Sequence, residues 1–161
     1  MHPEWMSIMR YGAEKGIDNM LATSSLISRR QAEQICSLGS AVYSIGVHIS
    51  SVVPEVYAQL HTNPRTLDIK MQGVKNLLSA GYSKERMWAL ITLSKPAITT
   101  FEETLDWFVD QMGIRIVCTL VYKGKGELDP HRVDWEPGVS ELKRVYGYRA
   151  EKLGQSWLRL G

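Results

Sequence analysis

Val42-Tyr43-Ser44-Ile45-Gly46-Val47-His48-Ile49-Ser50 sets large apolar residues at its odd positions against small or polar ones at its even positions. A period of two is the signature of a strand, whose successive side chains point to opposite faces. Residues 42–50 therefore predict a strand with Tyr43, Ile45, Val47 and Ile49 packed beneath helices. Ser44, Gly46, His48 and Ser50 fall on the opposite face.

The flanking segments say what kind of sheet this strand joins. Upstream, Ser28 suits a helix cap, and the helix it opens runs through Ala32, Ile35 and Leu38 to a stop at Gly39. Residues 18–23 read as a short strand before it. Earlier still, Trp5, Ile8, Met9 and Gly12 recur at helical spacing, with Pro3 suited to the first turn and Gly16 as terminator. Downstream, residues 54–61 read as a short helix and residues 66–80 as a longer one, with Leu67, Val74, Leu77 and Leu78 facing inward and Gly81 as its stop. Residues 87–94 form the next strand. Thr100-Phe101-Glu102-Glu103 has the form of a capping box opening a helix with Phe101, Leu105, Phe108 and Met112 on one stripe, ended by Gly113. Residues 114–122 give a further strand, 123–126 and Asp129-Pro130 a loop, and 141–153 a last helix.

Strands alternating with connecting helices predict a parallel sheet covered on one or both faces. The expected fold is α/β, a partial (β/α) barrel of the TIM-barrel kind with about four parallel strands and outer helices, one domain over residues 1–161.

Composition narrows function mostly by exclusion. A net charge of +2 with scattered Lys and Arg gives no footprint for nucleic acid. No apolar run reaches the roughly 20 residues of a membrane span, and the start has no signal-peptide pattern, so a cytoplasmic protein is expected. The two cysteines, Cys36 and Cys118, form no CxxC or CxxxCxxC spacing, and His2, His48, His61 and His131 show no metal-ligand spacing.

In parallel α/β folds ligands bind beyond the carboxyl ends of the strands. That rule gathers Thr23, Ser24 and Ser25 after the first strand and His48, Ser50 and Ser51 after the second. Thr92, Ser94 and Lys95 follow the third, with Thr119 and Lys123 at the fourth. Hydroxyls, one imidazole and ammonium groups suit hydrogen bonding to a ribose, a carboxylate or a phosphate. His48, Ser50, Thr92 and Thr119 are expected on the concave face.

The order of segments resembles the radical S-adenosylmethionine (radical SAM) barrel. His2-Pro3-Glu4 and Glu14-Lys15-Gly16-Ile17 resemble the ends of that family's "leu-his-pro-glu" helix. Thr23-Ser24-Ser25-Leu26-Ile27 stands where Thr-Asn-Gly is expected, and His48-Ile49-Ser50-Ser51 where Ser-Leu-Asp-Gly is. Pro54-Glu55-Val56-Tyr57 follows at the family's spacing. Asn76-Leu77-Leu78-Ser79-Ala80-Gly81, Thr92-Leu93-Ser94-Lys95 and Met112-Gly113-Ile114 continue the series. The similarity covers residues 2–126, leaving a loop and helix at 127–161.

The resemblance implies S-adenosylmethionine as cofactor, with Thr23, Ser24, Ser25, His48, Ser50, Thr92, Ser94 and Lys95 around it. The family's 4Fe–4S cluster hangs on a CxxxCxxC motif that this chain lacks, as it lacks the Gly-Gly-Glu-Pro strand. The expectation is thus part of a truncated or split radical SAM enzyme, completed by a complementary chain or by homo-oligomers. Two alternatives stay open. One is a degenerate barrel serving as a binding or scaffold subunit. The other is an unrelated α/β enzyme using His48 with Lys95 or Lys123 on a phosphorylated or carboxylated small molecule.

Overall fold

A computed structural model describes residues 4–123 and 135–154. Its centre is a four-stranded sheet in the order β1 (Met20–Thr23), β2 (Ser44–His48), β3 (Met87–Leu93), β4 (Ile116–Val121). Every pairing is parallel: Leu21 lies beside Ile45, Val47 beside Ala89, and Leu90 beside Cys118. Spatial order follows chain order, so right-handed crossovers lay the connecting helices on one side of the sheet. These are α1 (Trp5–Glu14), α2 (Arg29–Ser37), α3 (Pro54–Leu60), α4 (Thr66–Ser79), the single turn α5 (Lys95–Ile98), α6 (Phe101–Asp106) and α7 (Val139–Leu153). The architecture is the expected α/β fold, a partial barrel of parallel strands with outer helices.

The core lies between sheet and helices. Ile45, Val47 and Ile49, then Met87, Ala89, Ile91 and Leu93, are closed to solvent against Ile35, Val74, Leu77, Phe101, Leu105 and Phe108. Each of these side chains except Ala89 contributes about 1.5–3 kcal/mol by leaving water. The other face of the sheet is a different environment: Met20 is 61%, Ile116 40% and Leu120 55% exposed. Parallel sheets are ordinarily covered on both faces, and no described helix covers this one.

Local chemistry explains most element ends. Ser28 caps α2, its hydroxyl accepting the Gln31 N–H while the Gln31 side chain accepts from the Ser28 N–H at 2.9 Å. Asn19 ties the entry of β1 to its surroundings, donating to Met9 O at 2.8 Å and Ala41 O at 2.9 Å. At the foot of β2, Arg86 donates to the carbonyls of Tyr43, Gly39 and Val42.

Four expectations are corrected. Tyr43 is 53% exposed, because β2 begins one residue later and Tyr43 belongs to the turn that Arg86 holds. Thr100 forms no capping box: its hydroxyl is taken by Ser51, 2.8 Å away, in a buried pair. The helix it precedes is not one regular stripe but widens after Asp106 into a π-helical turn, Trp107–Gln111, that still buries Phe101, Leu105 and Phe108. Thr119 lies on the helix side, not the concave face; β4 puts it in line with Val117 and Val121, and Arg149 of α7 donates to its hydroxyl at 3.1 Å. Pro3, His131 and the loop residues 124–130 lie outside the described residues.

Candidate ligand cleft at the strand ends

His48 is the last residue of β2, and period two turns its ring toward the uncovered face. Its neighbour across the ladder is Leu90, and Ser50 and Thr92, two residues further along each chain, come beside it. The His48 Nε2 lies 3.1 Å from Ser50 Oγ and 3.2 Å from Thr92 Oγ1. Ser50 Oγ also accepts the Thr92 N–H at 3.2 Å, which leaves the Ser50 proton free to point at the imidazole. The result is a small, pre-ordered set of two hydroxyls around one ring nitrogen.

Electrostatics keep that ring neutral. Burial and then the positive charge of Lys70 lower the His48 pKa below its ordinary value. Lys70, on α4 and itself 6% exposed, donates to the His48 carbonyl at 3.4 Å and lies over the Tyr57 ring. Near neutral pH Nε2 is thus one half of a neutral imidazole, able to exchange hydrogen bonds with a hydroxyl or a heterocycle but carrying no charge to attract an anion.

These groups open into a cleft of about 190 Å³ lined by His48, Ser50, Thr92 and Ser94 together with Leu60, His61, Tyr122 and Trp135. Ser94 is 3% exposed, and its hydroxyl is engaged by the Ala97 N–H as the cap of α5. Tyr122 and Trp135 stand with ring centroids 6.3 Å apart, tilted by 56°, while His61 stacks on Tyr57 at 4.2 Å. The lining of the cleft therefore combines aromatic rings with hydroxyls. The strand-end rule reaches Tyr122, the first residue after β4, but Leu60, His61 and Trp135 sit beyond a helix or in a loop, where periodicity carries no signal.

The remaining expected site residues stand elsewhere. Thr23 is on the helix side of β1, its hydroxyl folded back to accept the Ser25 N–H at 2.9 Å. Ser25 is fully buried with φ of +67°, a left-handed conformation that few non-glycine residues adopt, and its hydroxyl reaches toward the His48 carbonyl at 3.5 Å. It braces the strand end rather than facing solvent. Ser24 is exposed beside it. Lys95 is exposed at the start of α5, and Lys123 pairs with Glu136 at 2.8 Å; neither lines the cleft.

For metals, Cys36 is half-buried on α2 and Cys118 is exposed on the open face of β4. Two cysteines in the whole sequence cannot supply the three thiolates that a site-differentiated 4Fe–4S cluster needs. Among the described residues no three His, Cys, Asp or Glu side chains gather as a metal site. No described helix is long and apolar enough to cross a membrane. Compared with known proteins, the chain matches no protein-family model and no curated protein.

Proposed function

We propose that this chain is the nucleoside-binding portion of a radical-SAM-type barrel, taking S-adenosylmethionine at the carboxyl ends of β2, β3 and β4. The observation that supports it is the Ser50–His48–Thr92 hydrogen-bond set lining one cleft together with Tyr122 and Trp135. Hydroxyls with a neutral imidazole suit a ribose diol, and aromatic rings suit the face of a purine. The cleft's about 190 Å³ is below the 300–1,000 Å³ typical of sites that engulf a whole ligand. It is matched to part of the cofactor, a sugar or a base, with the rest exposed along the open face.

When bound beside a reducing cluster, the cofactor supplies the radical that starts the family's chemistry. The two cysteines of this chain do not fit the cluster. What the chain itself contributes is binding and orientation. Ser50 and Thr92 offer hydroxyls held by the Thr92 N–H and His48, and Lys70 and Ser25 brace the His48 backbone from behind. A second reading, a binding subunit without chemistry, is favoured by the apolar open face bearing Met20, Ile116 and Leu120.

Isothermal titration of the purified chain with S-adenosylmethionine, adenosine and free methionine tests the proposal. Saturable binding of the first two, weakened at least tenfold in Ser50→Ala/Thr92→Val, is expected. Binding of methionine alone, or of none of the three, would overturn it.

A further inference from the structure

The two edges of the sheet are treated differently. In a parallel ladder the N–H and C=O of one residue point to the same neighbour, and those of the next residue point away. On β4, Tyr122 N donates to Leu93 O at 2.8 Å, so the even residues face β3 and Val117, Thr119 and Val121 face outward. That edge is guarded: Arg149 donates to the outward Val117 carbonyl and to the Thr119 hydroxyl. On β1, Tyr43 N donates to Asn19 O at 2.9 Å, so the odd residues face β2 and Met20 and Ala22 point outward. Among the described residues nothing bonds their outward N–H and C=O groups.

Natural edges are usually blunted by charge, proline or a covering segment, and among the described residues β1 has none of these. From Asp18 to Ser24 the only charge is Asp18 itself. The segments leading into and forming β1 also expose apolar side chains: Ile8 at 52% and Tyr11 at 62% on α1, Ile17 at 58% on the approach to β1, and Met20 at 61%.

We propose that β1 is a homodimer edge, pairing antiparallel with β1 of a second copy about a twofold axis at Leu21. The register follows from which groups are unpaired. With Leu21 on the axis, Met20 meets Ala22 of the other copy and Ala22 meets its Met20. Each pair exchanges two hydrogen bonds, so every outward group of β1 is satisfied. Asp18 then faces the other copy's Ser24, with no like charge opposite, whereas a parallel pairing of identical edges would set Asp18 against Asp18. A second copy is also the partner whose flank matches this one in being apolar, as an isologous interface requires. A two-stranded contact of four residues is a small interface, so the dimer is expected to be reversible and concentration-dependent. The pairing uses none of the cleft residues, and its failure leaves the proposed ligand site untouched.

Sedimentation velocity of the chain from about 1 to 200 μM, with hydrogen exchange at the Met20 and Ala22 amides, tests this. A monomer–dimer equilibrium is expected, with both amides protected at the high concentration and exposed at the low one. Ala22→Pro removes an outward donor without touching the β1–β2 ladder, and it is expected to leave a folded monomer. In a background of Cys36→Ser and Cys118→Ser, Leu21→Cys is expected to oxidise to a linked dimer. Ser24→Cys, which would face Asp18 rather than itself, is not. A monomer throughout, a dimer whose Met20 and Ala22 amides exchange freely, or cross-linking through Ser24→Cys in preference to Leu21→Cys would each overturn the proposal. So would a monomer with both amides protected, since the edge is then covered by the chain itself.

Discussion

Two glycines inside helices give opposite answers to the same substitution. Gly147 is exposed in α7, and a Cβ added there meets nothing within 4 Å. Gly73 is buried in α4, where a Cβ would overlap the Ser25 carbonyl oxygen and stand 3.0 Å from Ile27 N. Helix propensity alone makes Ala about 1 kcal/mol better than Gly at either place. Gly147→Ala should gain that full amount. In Gly73→Ala the gain is opposed by overpacking of about 1–3 kcal/mol. The upper part of that range applies, because the obstacle is backbone already fixed at φ +67° by Ser25 rather than a side chain that can swing away. The net is a loss of about 1–2 kcal/mol and a gap of about 2–3 kcal/mol between the variants. Urea unfolding followed by circular dichroism reads this as a midpoint difference of about 1 M, taking a slope of about 2–3 kcal/mol per M for a chain of this size. If Gly73→Ala were as stable as Gly147→Ala, α4 would not press on the Ser25 loop as closely as the backbone contact at Gly73 requires.

Three further outcomes are expected. Ser51→Ala strands the buried Thr100 hydroxyl 2.8 Å away and should cost about 1–3 kcal/mol in the same unfolding assay, while adding Thr100→Val should cost little more. The lowered His48 pKa means the unfolded chain takes up the proton first. Its contribution to stability is therefore complete above about pH 6.5 and falls as pH drops from there through the folded pKa. Unfolding between pH 5 and 7 should be steeper in pH for the native chain than for His48→Gln, and parallel curves would contradict the assignment. Anaerobic incubation with iron and sulfide should leave the chain without a stoichiometric 4Fe–4S cluster, read by iron content and visible absorbance, and about four irons per chain would refute the cysteine argument.

Strand–helix alternation was legible because burial on one side of the sheet is nearly absolute. Ile45, Val47 and Ile49, or Ala89, Ile91 and Leu93, cannot change parity without putting apolar bulk into water. The errors fall where a distant group decides. Thr119 looks like a concave-face hydroxyl until Arg149, thirty residues on, bonds it from the helix side. Thr100 and Glu103 have the spacing of a cap, but Ser51 takes the hydroxyl. Tyr43 continues the period of β2, yet Arg86 holds its carbonyl in the preceding turn. In the cleft, His48, Ser50, Thr92 and Ser94 could be found from the strand-end rule. Leu60, His61 and Trp135 arrive from segments whose positions depend on packing rather than on any local pattern.

Nuclear magnetic resonance of the His48 imidazole during titration with S-adenosylmethionine tests the proposed function most directly. Binding at the strand ends predicts saturable shifts of the His48 ring nitrogens together with the Ser50 and Thr92 amides, at one common affinity, because these groups share hydrogen bonds. Saturable shifts confined to other residues, or a spectrum unchanged at millimolar cofactor, would contradict it.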